Sequence, residues 1–399
     1  MTIEARRSPL AIACALLAVV GVSDRASSAQ PPVEPDAKSE LAERIRQAQS
    51  EGGPYSMELI DPLTTLSLVY QEDGQAELAT AAIEQALQVM RANYGLRSLE
   101  QAALLRQRIR SEEDRGNFAE AWELERTLQT MASAHPEDLR AAAIFHEIGD
   151  KRMELLERYS NGEFPAQLAL GCYYAGDLQF TSSCTAGSKE VARRAIRLDA
   201  QRNYAGAIHV LLRQRRHADG QLQELERKLI RSSYDGLQYG TGRQSLGRLV
   251  AYTVASGEPL SSRAAAFVNV ADWDLMFEHR PLALDAYEQT YEHLKRQGVP
   301  QATIDELFAP AIPVVLPTFE PNPLLGDDAP ATGYIDVAFE IMNVGVSRRI
   351  EILGTSDNVT AAAKENLIHL IERSRFRPRV SDGQFARASR VVVRYPLHD

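Results

Sequence analysis

The spacing of apolar residues changes twice along this chain, and each change predicts a different kind of element. An apolar run from Leu10 to Val22 follows Arg6 and Arg7, and Ser27-Ser28-Ala29 places small residues where a signal peptidase cuts. Residues 1–29 therefore read as a cleaved secretory signal peptide, with the periplasm as the expected compartment. The run is short for a membrane span, and no later segment reaches the roughly 18 consecutive apolar residues that one needs, so no transmembrane segment is expected in the mature chain. Cys14 lacks a lipobox, because Ala11 stands where leucine is expected, and Ser8-Pro9-Leu10 does not continue a twin-arginine signal. Residues 30–55, opening with Gln30-Pro31-Pro32, read as an extended N-terminal segment.

From about Leu59 the period becomes helical, and residues 56–309 are predicted to be a helical domain. Leu63, Gly74, Ala79, Ala82, Ala86 and Val89 recur forty-two residues later as Leu105, Gly116, Ala121, Leu124, Leu128 and Met131. Each unit is two helices around a glycine turn, with a small alanine where the second helix approaches the first. On these residues the two units resemble tetratricopeptide repeats in a longer-helix form. The register then degrades: Glu125 stands where Ile83 predicts an apolar residue, and Arg158 replaces the next turn glycine. Residues 139–260 stay helical in tone without assignable boundaries. A clear pair returns from Ser262 to Gly298, in which Pro281 opens the second helix and Ala283, Ala286, Tyr287, Thr290 and Leu294 form its stripe. Tyr287 and Tyr291, four apart, read as core residues.

Proline punctuates residues 310–330, which read as an extended linker. Beyond it, over 331–399, the period becomes two. Ile335, Val337, Phe339 and Ile341 alternate with polar neighbours, Asn343-Val344-Gly345 is a turn, and Ile350 and Ile352 continue in a second strand. Thr360 is the expected N-cap of a helix carrying Ala363, Leu367, Leu370 and Ile371. After Pro378 and the turn Asp382-Gly383, Val391, Val393 and Tyr395 alternate with Arg390, Val392 and Arg394 in a last strand. This β-β-α-β order, with Ser374-Arg375-Phe376-Arg377-Pro378 closing the helix and a terminal Val-Val-Val-Arg-Tyr strand, resembles the C-terminal domain of the TonB energy-transducer family. The resemblance makes Phe376, Pro378 and Gly383 motif positions, and it implies a domain that binds a segment of an outer-membrane receptor by adding a strand to its sheet edge. Arg390, Val392 and Arg394 mark the candidate edge. Charged residues on an edge strand also blunt unwanted pairing, and the pattern alone leaves both roles open. The chain departs from the family in lacking an uncleaved anchor and a long Pro-rich spacer.

Charge and cysteines narrow the picture. The formal charge is −10 over 399 residues, although the last sixty-nine carry ten Lys/Arg against eight Asp/Glu, so an acidic body precedes a mildly basic module. That balance argues against nucleic acid. With Cys14 in the leader, the mature chain keeps Cys172 and Cys184, which form either a disulfide, as export permits, or two buried thiols. Motifs of enzyme chemistry occur only as near misses. His146-Glu147-Ile148-Gly149-Asp150 has Asp150 where a zinc-protease motif needs its second histidine. Gly236, Gly240, Gly242 and Gly247 precede no Gly-Lys-Ser/Thr and read as a flexible connection, and no G-x-S-x-G occurs. The expectation is an α+β protein, a tetratricopeptide-like solenoid followed by a small TonB-like domain. It would act without enzymatic activity or cofactor as an adaptor for proteins or peptides of the cell envelope. The alternative is a structural envelope scaffold without strand exchange.

Overall fold

The computed structural model describes residues 37–160, 186–214, 220–308, 313–314, 332–381, 384–386 and 388–397. Helix α1 (Ala37–Gly52) comes first. The segment read as extended is thus helical from Ala37, because Leu41, Ile45 and Ala48 form a stripe on one side, of which Leu41 and Ala48 are buried. Among the described residues five antiparallel helix pairs (hairpins) follow: α2 (Ile60–Glu72) with α3 (Ala76–Tyr94), α4 (Ala102–Asp114) with α5 (Phe118–Ser133), α6 (Leu139–Ser160) with α7 (Ala186–Arg213), α8 (Gly220–Asp235) with α9 (Tyr239–Ala255), and α10 (Leu260–Met276) with α11 (Arg280–Arg296). A short α12 (Gln301–Leu307) closes the helical body. None of the described helices is long and apolar enough to cross a membrane.

Four of these hairpins share one turn; the α6–α7 connection lies outside the described residues. The N–H groups of Gln75, Asn117, Gln238 and His279 each reach the carbonyl five residues back at 2.8 Å, and the residues at 74, 116, 237 and 278 all have positive φ. This is the Schellman closure of a helix C-terminus, in which the left-handed residue is normally glycine. Ser56 and Ser98, forty-two residues apart, accept the N–H groups of Glu58 and Glu100 at the start of the first two hairpins. Buried Ala79, Ala82, Ala86 and Ala121 allow close helix approach, and Leu63, Ile83, Leu87, Leu105 and Leu128 fill the space between them. Of the four glycines read as a flexible connection, Gly236 lies in the turn between α8 and α9, but Gly240, Gly242 and Gly247 are all within α9, and a Cβ on Gly242 would stand 2.1 Å from the Trp273 ring. Gly242 is the seat of Trp273.

The terminal module contains β1 (Pro313–Val314), β2 (Gly333–Met342), β3 (Ser347–Thr355), α13 (Ala361–Arg373), β4 (Arg375–Phe376), β5 (Val380–Ser381), β6 (Gln384–Phe385) and β7 (Ala388–Leu397). The main sheet is antiparallel in the order β3-β2-β7, and Leu367 and Ile371 of α13 cover Val337, Phe339 and Val391 on one face. Thr360 caps α13 by accepting the Ala363 N–H at 3.1 Å, and Gly345 makes the hairpin turn with φ of 73°. Within the stretch read as a linker, Pro313 and Val314 pair antiparallel with Phe376 and Arg375. Val314 and Val380 then join Val268, Leu275, Tyr287 and Phe308 in one buried cluster, so helical body and terminal module share a core. The rest of the Pro-rich stretch lies outside the described residues.

Candidate functional site

The two edges of the main sheet differ. Strand β3 takes an extra residue at two places against β2, where Leu353 and the pair Arg349-Ile350 interrupt the register, and Arg349 has φ of 52°. Bulges of this kind twist an edge away from further pairing. Strand β7, in contrast, runs in unbroken one-to-one register with β2 from Ala388 to Leu397. Its hydrogen-bonding direction follows from β2: Met342 exchanges bonds with the hairpin residues Val346 and Gly345, and the Tyr334 carbonyl accepts from Ser356, so even-numbered residues of β2 turn their main chain toward β3. Odd-numbered ones face β7, and the register pairs them with Ser389, Val391, Val393 and Tyr395. The N–H and C=O groups of Arg390, Val392 and Arg394 therefore point away from the sheet, where no strand pairs with them among the described residues. The three residues read as the candidate edge are those whose main chain is outward.

Their side chains lie on the face opposite α13. Val392 is 64% exposed over buried Ala338. Arg394 donates to both oxygens of Asp336 at 2.7 and 2.8 Å and lies 4.0 Å from the Tyr334 ring centroid, while Arg390 donates to Glu351 at 3.0 Å. The hydrogen bonds from Arg394 hold the Asp336 carboxyl below the usual carboxylate range. The outermost row of this face is Arg-Val-Arg, with every carboxylate one or two strands inward.

In the Ser374-to-Pro378 run Phe376 packs into the terminal module, while Arg375 and Arg377 reach the helical body. Phe376 is fully buried 5.2 Å from Phe339, and its N–H donates to the Gly345 carbonyl at 2.9 Å; Pro378 is buried as well. Arg377 is 7% exposed and donates to Asp272 of α10 at 2.9, 3.1 and 2.6 Å, and to the Leu307 carbonyl at 3.2 Å. Asp272, 2% exposed, also accepts the Tyr287 hydroxyl at 2.6 Å. Burial, and then the Asp272 charge, push the Tyr287 hydroxyl well above its ordinary value, so it stays a donor. Arg375 pairs with Glu278 at the turn between α10 and α11. Spacing and period pointed to none of these partners, although carboxylates on both sides of Trp273 in an otherwise apolar stretch are a visible signal that a buried cation is needed.

The near-miss motif on α6 is also a polar tie between helices. Lys228 of α8 donates to Asp150 at 2.8 and 2.9 Å and lies 2.8 Å from His146 Nε2, and the Tyr204 hydroxyl of α7 donates to Asp150 at 2.9 Å. Gly149 is needed because a Cβ there would meet the Tyr204 ring at 2.6 Å. Burial raises the Asp150 pKa, but the bonds from His146, Lys228 and Tyr204 outweigh it and hold the carboxyl down at about 2. Among the described residues no three His, Cys, Asp or Glu side chains are grouped to hold a metal ion. Cys172, Cys184 and Gly383, and the leader through Ala29, lie outside the described residues. No protein-family model and no curated protein matches the chain.

Proposed function

We propose that this is a non-enzymatic adaptor of the periplasm, built from a tetratricopeptide-like helical scaffold and a TonB C-terminal-like module, which binds a partner by adding its extended segment to β7. The partner class is a protein or peptide of the cell envelope, an outer-membrane receptor among them. One observation carries the reading: β7 offers an unbroken edge with the main chain of Arg390, Val392 and Arg394 outward, whereas β3 is blunted by two bulges. Main-chain pairing supplies affinity with few side-chain demands, as strand addition requires. A second reading has its own support. The buried Arg377–Asp272 pair and the shared cluster around Tyr287 suit a module that caps the helical stack, as a structural envelope scaffold would need.

The test compares Val392→Pro with Val392→Thr. Proline removes one outward N–H, whereas threonine keeps the backbone and nearly the same shape. With circular dichroism showing both variants folded, capture of the partner from envelope extract should fall sharply with proline and little with threonine. Hydrogen exchange should show the amides of Arg390, Val392 and Arg394 fast in the free protein and slowed in the complex. Equal capture by both variants, with no slowing, would leave the scaffold reading alone.

A further inference from the structure

Helices α9, α10 and α11 enclose a groove of about 540 Å³. That lies in the range of roughly 300–1,000 Å³ typical of small-ligand sites. Val250 on α9 and Phe267 and Val270 on α10 form an apolar wall, and His293 and Arg296, one turn apart on α11, stand on the other side. No carboxylate is among the described residues that line it, in a chain of formal charge −10. Arg296 is exposed and forms no ion pair among the described residues; its Nε donates to the Glu292 carbonyl of its own helix at 3.2 Å, which leaves the guanidinium ends for another acceptor. A second observation is independent of charge. Gly247 stands in the interior of α9, where glycine is the least favourable residue short of proline, and a Cβ built on it would meet nothing within 4 Å. Gly242 in the same helix is explained by Trp273, but no neighbour among the described residues explains Gly247. Its missing side chain opens onto this groove.

We infer that the groove binds a small amphipathic carboxylate, with its apolar body across Gly247 between Val250, Phe267 and Val270 and its carboxylate on Arg296 beside His293. A fork-shaped guanidinium at one end of an apolar slot selects a planar anion over a neutral or cationic head. The full chain titrated with octanoate in a calorimeter should bind one equivalent saturably. Octan-1-ol should bind at least about tenfold more weakly, and octyltrimethylammonium should not bind. Arg296→Gln should weaken octanoate by at least about fivefold. Gly247→Leu, which fills the slot, should abolish binding. Should that variant unfold, Phe267→Ser at an exposed position takes its place, with the same loss expected. Absence of saturable octanoate binding, equal affinity for the three head groups, or wild-type affinity in either the Arg296 variant or the folded slot variant would overturn the proposal.

Discussion

Replacing Arg377 tests whether the terminal module is clamped to the helical body. Arg377→Met keeps much of the aliphatic stem and removes the guanidinium, which leaves Asp272 buried with the Tyr287 hydroxyl as its remaining side-chain partner. Breaking a buried pair from one side costs about 3–5 kcal/mol, because the abandoned charge stays desolvated. Against a typical net stability of about 5–15 kcal/mol, that is a large share. Arg377→Lys retains the charge but loses the two-pronged contact, and should cost about 1–3 kcal/mol. Arg377→Met with Asp272→Leu and Tyr287→Phe removes every member of the polar set, and should recover most of the loss. Urea unfolding by circular dichroism measures each cost, and hydrogen exchange of β2 and β7 peptides shows whether the sheet opens separately from α10 and α11. Wild-type protein should exchange both as one unit, and Arg377→Met should release the sheet at lower urea. A loss below about 1 kcal/mol in Arg377→Met, with exchange unchanged, would refute the clamp.

Three other outcomes are expected. The depressed Asp150 pKa contributes stability that is fully present above the ordinary carboxylate value and is lost as pH falls toward about 2; a drop of that size is worth at most about 2.5 kcal/mol, and solvent screening at this half-exposed site leaves about 1. Asp150→Asn should therefore be less stable than wild type at pH 6 and equal to it near pH 2 in urea titrations, and a constant gap would contradict the assignment. Gly242→Ala should destabilise by about 1–3 kcal/mol through the Trp273 clash, whereas Gly247→Ala should stabilise by about 0.5–1, so the reverse order of thermal midpoints would undo the account of both. If Cys172 and Cys184 are bridged, they should resist thiol labelling in the non-reduced protein, and reduction should cost about 2–4 kcal/mol; full labelling of both would exclude the bond.

The first two hairpins were legible because their turn residues are glycines, Gly74 and Gly116, and glycine reports a left-handed backbone directly. The same turn recurs after α8 and α10, hidden because Leu237 and Glu278 occupy the left-handed position. Glu278 has a visible reason to stand there: its carboxylate pairs with Arg375 of the terminal module, which glycine could not do. The break in register at Glu125 has a similar origin, since that buried side chain accepts from Lys151 at 2.8 Å and Arg152 at 2.5 Å where an apolar residue was expected. Alternation was enough to locate β7 and its outer row. It gave no sign that β3 is bulged, because a bulge adds a residue without disturbing local composition, and Arg377 could not be matched to Asp272, one hundred and five positions away.

The polar ties between helices form a series, and the terminal module supplies its last member. Glu125 of α5 holds Arg152 of α6, Asp150 of α6 holds Tyr204 and Lys228 of α7 and α8, and Glu226 of α8 holds Arg248 and Tyr252 of α9. Asp274 of α10 holds Tyr239 and Arg243 of α9. At Asp272 the tyrosine again comes from the neighbouring helix, as Tyr287, but the cation is Arg377, from beyond the last hairpin. A helical stack leaves the face of its final repeat uncovered, and here Arg377, Val314 and Val380 cover it. That docking uses β1, β4 and β5, and Arg390, Val392 and Arg394 remain exposed. Capping the stack and the proposed recruitment of a strand to β7 thus draw on different residues and do not compete. Variants at Arg377 and at Val392 should for that reason separate: the first should shift unfolding, and the second, where the fold is kept, should change only what pairs with the edge.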